Sequence, residues 1–144
     1  MVCAVDVARY ILTKTGEMTA MKLQKLVYYS QAWSLVWDEE PLFEEDIQAW
    51  ANGPVVPTLY EYHRGEFKVN EDTFEAGNVD ALTPNQKDSI DKVLDALQGK
   101  SGHWLSELTH SESPWNDARG DLKPTERSTN VIPLAAMHEY YSSL

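Results

Sequence analysis

The segment from about Thr19 to Trp37 constrains the fold more than any other part of this chain. Its apolar side chains, among them Leu23, Leu26 and Val27, point in every direction around a helix at about 100° per residue. A helix that is apolar on all sides is buried on all sides. We therefore expect a helix over about 19–37 at the centre of the molecule, with the other elements packed around it.

Shorter amphipathic segments supply those other elements. An apolar stripe over 4–12 predicts a first helix that stops near Gly16, and Thr83-Pro84-Asn85-Gln86 has the order of residues of a helix N-terminus with a capping box. Further helices are expected to begin at Pro54 or Pro57, after Ser101 and at Pro133, and the helical pattern is expected to end at 113–115. Residues 47–51 alternate and predict a short strand, whereas 64–82 lack periodicity and predict a loop. The fold class is mainly α, with about five to seven helices around the central one and at most a minor short strand pair.

Length and composition favour one compact domain over residues 1–144. Hydrophobic residues make up 42% and charged residues 24%, the balance of a soluble globular protein. No apolar stretch approaches the roughly 18 residues of a membrane span. The N-terminal residues lack the basic region of a signal peptide, and Cys3 alone forms no disulfide framework. We expect a cytoplasmic protein with no membrane association and no cofactor.

The charge is strongly acidic. Twelve Lys and Arg residues against 23 Asp and Glu residues leave a net charge of −11. This excludes a general nucleic-acid binder, because such proteins need a basic surface. Carboxylates crowd the segment Asp38–Asp46, which includes Glu44 and Glu45. Two interpretations stay open: a solvated surface that maintains solubility, or a docking surface for a basic protein.

The chain contains no phosphate-binding loop, no dinucleotide fingerprint and no nucleophile-elbow motif. The one spacing that resembles a metal site is His103, Glu107 and His110, at i, i+4 and i+7 of a predicted helix. A helix-terminal histidine that interacts with the last carbonyls is the alternative for His110. We predict no metal, no catalytic residues and no enzymatic activity.

Two kinds of side chain are candidates for binding. Trp50 and Trp115 lie next to turns, where a large ring is either packed or serves as an interface anchor. Lys22, Gln24 and Lys25 are polar residues on a helix that is buried on all sides, so they need specific partners. These three form either a structural network or the lining of a pocket.

Three blocks of sequence form a recognisable set: Met21-Lys22-Leu23-Gln24-Lys25-Leu26-Val27-Tyr28-Tyr29, then Pro41-Leu42-Phe43 with Ile47 to Pro57, and finally Leu105 to His110 with Ser113-Pro114-Trp115. They resemble a known family, the Panacea domain of SocA-like antitoxins and GepA-type prophage proteins. Their order and spacing also agree with the family. The resemblance implies a mainly helical antitoxin that neutralises a cognate protein toxin, encoded nearby, through direct contact.

The candidate partner-binding or family-motif residues are therefore Lys22, Gln24, Lys25, Tyr28, Glu44, Glu45, Trp50, Gly53, Pro54, His110 and Trp115. Two other functions compete with the antitoxin. The acidic charge fits a phage protein that mimics nucleic acid and blocks a DNA-binding enzyme. The histidine spacing fits a small metal-dependent hydrolase.

Overall fold

The computed structural model describes all 144 residues and contains seven α-helices and four short strands. The helices are α1 (Ala4–Thr15), α2 (Ala20–Trp37), α3 (Pro57–His63), α4 (Pro84–Leu97), α5 (Gly102–His110), α6 (Ser113–Arg119) and α7 (Leu134–Ser142). The strands are β1 (Met18–Thr19), β2 (Gln48–Trp50), β3 (Gly53–Val55) and β4 (Lys68–Val69). The predicted mainly α fold is confirmed.

Helix α2 is the buried centre that its sequence predicts. It begins after Thr19, whose side chain accepts a hydrogen bond from the backbone N–H of Lys22 at 3.1 Å. Leu23 and Leu26 are fully buried, and only Met21 and Trp37, near the two ends, are large apolar residues with substantial exposure. Helices α1, α4, α5 and α7 all pack against α2. Their apolar faces and α2 form one continuous hydrophobic cluster.

Several helix boundaries follow directly from local sequence. Gly16 ends α1 with a positive φ of 84°, and Thr83 forms the predicted capping box with Gln86 at the start of α4. Pro57 occupies the first turn of α3, where its missing N–H costs no hydrogen bond. None of the seven helices combines the length and the apolarity needed to cross a membrane.

The strands form two antiparallel pairs instead of a single one. The hairpin of β2 and β3 places Gln48 opposite Val55 and Trp50 opposite Gly53, while β1 pairs with β4. Pro54 lies within β3 and does not open a helix. The other edge of the hairpin is held by the backbone of residues 130–132, because Ala49 N–H donates to the Asn130 carbonyl at 2.8 Å.

Two segments differ from the sequence-based expectation. Residues 64–82 are not a plain loop: they contain β4 and two 3₁₀ helices, Glu71–Phe74 and Val79–Ala81. Asn70 and Asn78 cap these turns, and Phe74 is fully buried, which anchors a segment too short to show periodicity. The helical pattern also does not end at 113–115, because Pro114 lies in the first turn of α6.

Candidate functional site

Gln24, a polar residue on the buried helix α2, is fully engaged. Its Oε1 accepts a hydrogen bond from Val56 N–H at 2.9 Å, and its Nε2 lies 3.4 Å from the Val56 carbonyl and 2.9 Å from His63 Nε2. Because the amide nitrogen donates, His63 Nε2 must accept, which places the histidine proton on Nδ1. Burial lowers the pKa of His63, as does the charge of Lys25, so the ring is neutral. This arrangement joins α2 to α3.

Lys25, the next residue of α2, is buried and has no partner. The residue is 1% exposed and desolvation is the only influence on its ammonium, with no charged or hydrogen-bonding partner acting on it. The Nζ is not fully enclosed, since the one fully enclosed polar atom without a partner is His110 Nε2, and Lys25 lines a cavity. Burial alone acts on it and lowers the pKa of Lys25 from 10.5 to about 8. Buried lysines are rare unless paired. An unpaired one costs folding free energy, which marks this position for a role other than stability.

The hairpin of β2 and β3 lies directly against Lys25. Gly53 has a φ of +119°, and a Cβ at that position would overlap Lys25 Cε and lie 3.1 Å from Thr109 Oγ1. Only glycine combines that backbone conformation with so close an approach. Ser106 of α5 fixes the turn from the other side, since its hydroxyl donates to the Asn52 carbonyl at 2.6 Å.

A cavity of about 520 Å³ opens beside Lys25. Trp50, Tyr60, Met21 and Val55 supply much of its apolar lining, and the polar lining includes Gln24, Lys25, Asn52, His63, Arg127 and Ser128. No Asp or Glu lines this cavity, although the chain has 23 acidic residues. The cavity is therefore a locally cationic site in an acidic protein.

The two tryptophans singled out in the sequence lie in different environments. Trp50 is half-buried and its ring meets that of Tyr60 edge-to-face at 5.1 Å, at the wall of the cavity. Trp115 is only 3% exposed: its Nε1–H donates to the Trp50 carbonyl at 2.8 Å, and its ring stacks on His110 at 4.0 Å. Trp115 thus packs beneath the hairpin and is not presented to a partner.

The spacing of His103, Glu107 and His110 does not produce a metal site. No group of three or more His, Cys, Asp or Glu side chains is arranged to hold a metal ion. His103 and Glu107 are exposed, whereas His110 stacks on Trp115 with its Nε2 buried and without a hydrogen-bond partner. Burial lowers the pKa of His110, and the charges of Lys25 and Arg119 lower it further against the opposing effect of Glu107.

The remaining candidates lie outside the cavity. Lys22 reaches the surface and donates to the Gln98 carbonyl. Glu44 is exposed, whereas Glu45 accepts from Ala4 N–H and so holds the N-terminus of α1.

Tyr28 belongs to a buried network that is separate from the cavity. Its hydroxyl lies 3.0 Å from that of Tyr141, and Tyr29 and Tyr141 both donate to Glu112 at 2.6 and 2.7 Å. Burial raises the pKa of the Glu112 carboxyl, and the two tyrosine hydroxyls oppose this shift. The network ties α2 and α7 to the start of α6.

Comparison with known protein families shows to which family this chain belongs. The family model described as antitoxin SocA-like, Panacea domain, matches residues 23–116, well over half of the chain. This protein belongs to the SocA-like Panacea family. No curated protein and no solved structure matches the chain at a significant level. The three family-like blocks meet at one place in this Panacea domain: Lys25 from the first, Gly53 from the second and Thr109 from the third.

Part of the site could not be found from sequence. His63 and Tyr60 follow the hairpin on α3, and only the packing of α3 against α2 brings them to Gln24 and the cavity. Arg127 comes from a polar segment with no motif at all. The usable signals in the sequence are Trp50 beside a turn and the polar residues Lys22, Gln24 and Lys25 on a largely apolar helix, and of these only Lys22 does not line the cavity.

Proposed function

We propose that this Panacea-domain protein is the non-enzymatic antitoxin of a bacterial or prophage toxin–antitoxin pair and acts in the cytoplasm. It neutralises a cognate protein toxin, encoded nearby, by direct binding. The observation that carries the proposal is the match of the antitoxin family model to residues 23–116. The net charge of −11 supports a partner with a basic contact surface, because opposite charge accelerates protein encounter.

Two groups of exposed side chains are proposed for the contact. Glu40, Glu44 and Asp46 are exposed carboxylates of the acidic segment. Trp50, with Tyr60 beside it, supplies a partly exposed aromatic pair at the mouth of the cavity. Charge then governs the rate of association, and the aromatic pair governs the lifetime of the complex.

The direct test is stoichiometric rescue. The gene next to this one is expressed alone and together with the antitoxin, and growth and co-purification are measured. We expect growth arrest by the neighbouring protein alone, recovery on co-expression, and a complex that survives gel filtration. A neighbour that is harmless, or that arrests growth regardless of this protein, would rule out the pairing.

Trp50→Ala should weaken toxin binding by about thirtyfold, equivalent to roughly 2 kcal/mol, because a desolvated aromatic anchor is lost. The Trp50 carbonyl that accepts from Trp115 is retained, so the hairpin should stay folded. Trp37→Ala is the matched control, since Trp37 is 44% exposed at the far end of α2. Calorimetric affinities for both variants decide the question; equal losses would exclude an anchor role for Trp50.

Reversing Glu40 and Glu44 to Lys should slow association, and the effect should be largest at low ionic strength where screening is weak. Glu45 is left unchanged because it holds the N-terminus of α1. Glu75→Lys, at another exposed carboxylate, serves as the control. Stopped-flow association rates at two salt concentrations give the answer. Rates that are insensitive to both the reversal and salt would remove the acidic segment from the contact.

A further inference from the structure

The cavity beside Lys25 has a charge opposite to that of the protein around it. Lys25 at its base and Arg127 at its mouth are cationic, and no carboxylate lines it. A chain with net charge −11 has a cationic cavity open to its surface only because its acidic side chains lie elsewhere. An anion that enters this cavity meets positive charge and no repulsive lining group.

The Lys25 ammonium is the strongest evidence for a ligand. It is buried on a helix at the centre of the molecule, it borders the cavity, and no group of the protein satisfies it. We propose that this cavity binds a small organic anion, a carboxylate or phosphate on an aromatic or apolar body, with Lys25 as its charge partner. The cavity shares Trp50 and Tyr60 with the proposed toxin contact, but the anion site is assigned by the geometry of the chain alone.

The size and lining of the cavity indicate that the ligand has an apolar body in addition to its anionic group. At about 520 Å³ it falls within the usual range of small-molecule sites and exceeds what a bare ion fills. The rings of Trp50 and Tyr60, together with Met21 and Val55, offer an apolar surface on which a flat or aliphatic group can pack. A ligand with an anionic end and an apolar body can pair with the Lys25 ammonium and pack on this apolar lining.

The other polar groups of the cavity do not compete with Lys25 for the charge. Gln24 is saturated by Val56 and His63, and His63 is neutral. The charge of Lys25 acts on two histidines, His63 from α3 and His110 from α5, and burial together with that charge lowers the pKa of both. Tyr60 and Arg127 are the other titratable groups that line the cavity. At neutral pH the ammonium of Lys25 is therefore the one buried charge available to an anion, with Arg127 closer to solvent.

Titration of Lys25 sets the expected pH dependence of binding. The pKa of Lys25 is about 8 in the free protein, so the ammonium is charged at neutral pH and loses its proton as pH rises through that value. Affinity for an anion should fall by about tenfold per pH unit above this point, since only the protonated form binds it well. A bound anion should in turn raise the pKa of Lys25.

The test uses the purified full chain with phenyl phosphate, benzoate and inorganic phosphate, and benzyl alcohol as the neutral analogue, each measured by calorimetry and amide chemical shifts. We expect saturable binding of an aromatic anion, the choice between phenyl phosphate and benzoate identifying the charged group. Inorganic phosphate and benzyl alcohol should each bind at least about tenfold more weakly, because each lacks one half of the ligand. Shift changes should concentrate on α2, the hairpin and α3.

Lys25→Met should reduce this affinity by about tenfold or more and abolish its pH dependence, while Arg64→Ala, an exposed cation outside the cavity, should change neither. Arg127→Ala should weaken binding by a smaller factor, because that side chain is exposed. If a folded Lys25→Met variant binds as tightly as the parent, the proposal is wrong. Absence of binding by both aromatic anions up to about 10 mM, well above the range of specific sites, overturns it equally.

Discussion

Replacing Lys25 by Met is expected to increase the free energy of unfolding by about 3 kcal/mol near pH 7. Burial of the charged ammonium lowers the pKa of Lys25 from 10.5 to about 8. This shift corresponds to a destabilisation of the parent by about that amount, since one pKa unit is about 1.4 kcal/mol. Methionine has a similar length and flexibility, so it fills the same space without a charge that needs hydration. A single substitution that stabilises by this amount is unusual, because most buried-site changes destabilise.

The stabilisation by Lys25→Met should also depend on pH, with a definite sign. Between about pH 8 and pH 10.5 the unfolded chain keeps a proton on Lys25 that the folded chain has lost. Stability of the parent therefore rises with pH through that window, and the advantage of Lys25→Met should shrink to near zero by its upper end. Urea unfolding of both proteins at about pH 7 and pH 9.5 gives the difference in their free energies of unfolding at each pH. Tyrosines titrate in both proteins, so their contribution cancels in this difference.

Lys123→Met, at an exposed lysine, is the control and should change stability by less than about 0.5 kcal/mol at either pH. A Lys25→Met variant that is less stable than the parent at neutral pH would mean that the ammonium is satisfied in the folded protein. Groups of the protein would then already pair with the Lys25 ammonium, and it could not serve as the charge partner of a ligand.

Gly53→Val is expected to reduce the free energy of unfolding by roughly 2–6 kcal/mol. A β-branched residue at a φ of +119° is strained by about 1–3 kcal/mol, and overlap with a packed neighbour adds a similar amount. The overlapping neighbour is Lys25 Cε, with Thr109 Oγ1 3.1 Å from the new Cβ. Thermal and urea unfolding measure the loss.

Two companion variants separate the causes of that loss. Gly99→Val serves as the control because a Cβ there meets nothing within 4 Å and its φ is not positive; it should change stability by about 0.5 kcal/mol or less. Introducing Gly53→Val into a Lys25→Ala background removes the overlap with Lys25 and leaves the strained φ and the 3.1 Å approach to Thr109 Oγ1. Measured relative to Lys25→Ala alone, the loss should be about half of that in the parent. A Gly53→Val protein as stable as the parent would show that the hairpin does not lie against Lys25.

The fold was predictable where a local pattern has only one physical solution. An all-round apolar segment must be buried, and α2 is; a threonine followed by Pro84 and Gln86 caps a helix, and α4 begins there. The sequence predicts a loop over 64–82, whereas the structure has short elements there, because the burial of this segment depends on isolated residues such as Phe74, which create no periodic pattern.

The site was predictable only in part, from Trp50 beside a turn and from the polar residues of α2, which require partners or a pocket. Gln24 finds its partners within 3.4 Å, whereas Lys25 finds none, and nothing in the sequence distinguishes these two neighbours. The burial of Trp115 and the role of Glu45 at the start of α1 likewise depend on contacts between distant segments. Long-range packing decides which motif residues face a cavity and which support it.

The pKa of Lys25 tests most directly whether the family-like blocks enclose an unpaired buried ammonium. Side-chain NMR of the parent, with Lys25→Met to assign the signal, follows the Lys25 Cε resonance against pH with and without phenyl phosphate. We predict a pKa of about 8 in the free protein and a higher value with the anion bound. An ordinary lysine pKa near 10.4 that the anion leaves unchanged would contradict both the unpaired ammonium and the anion site.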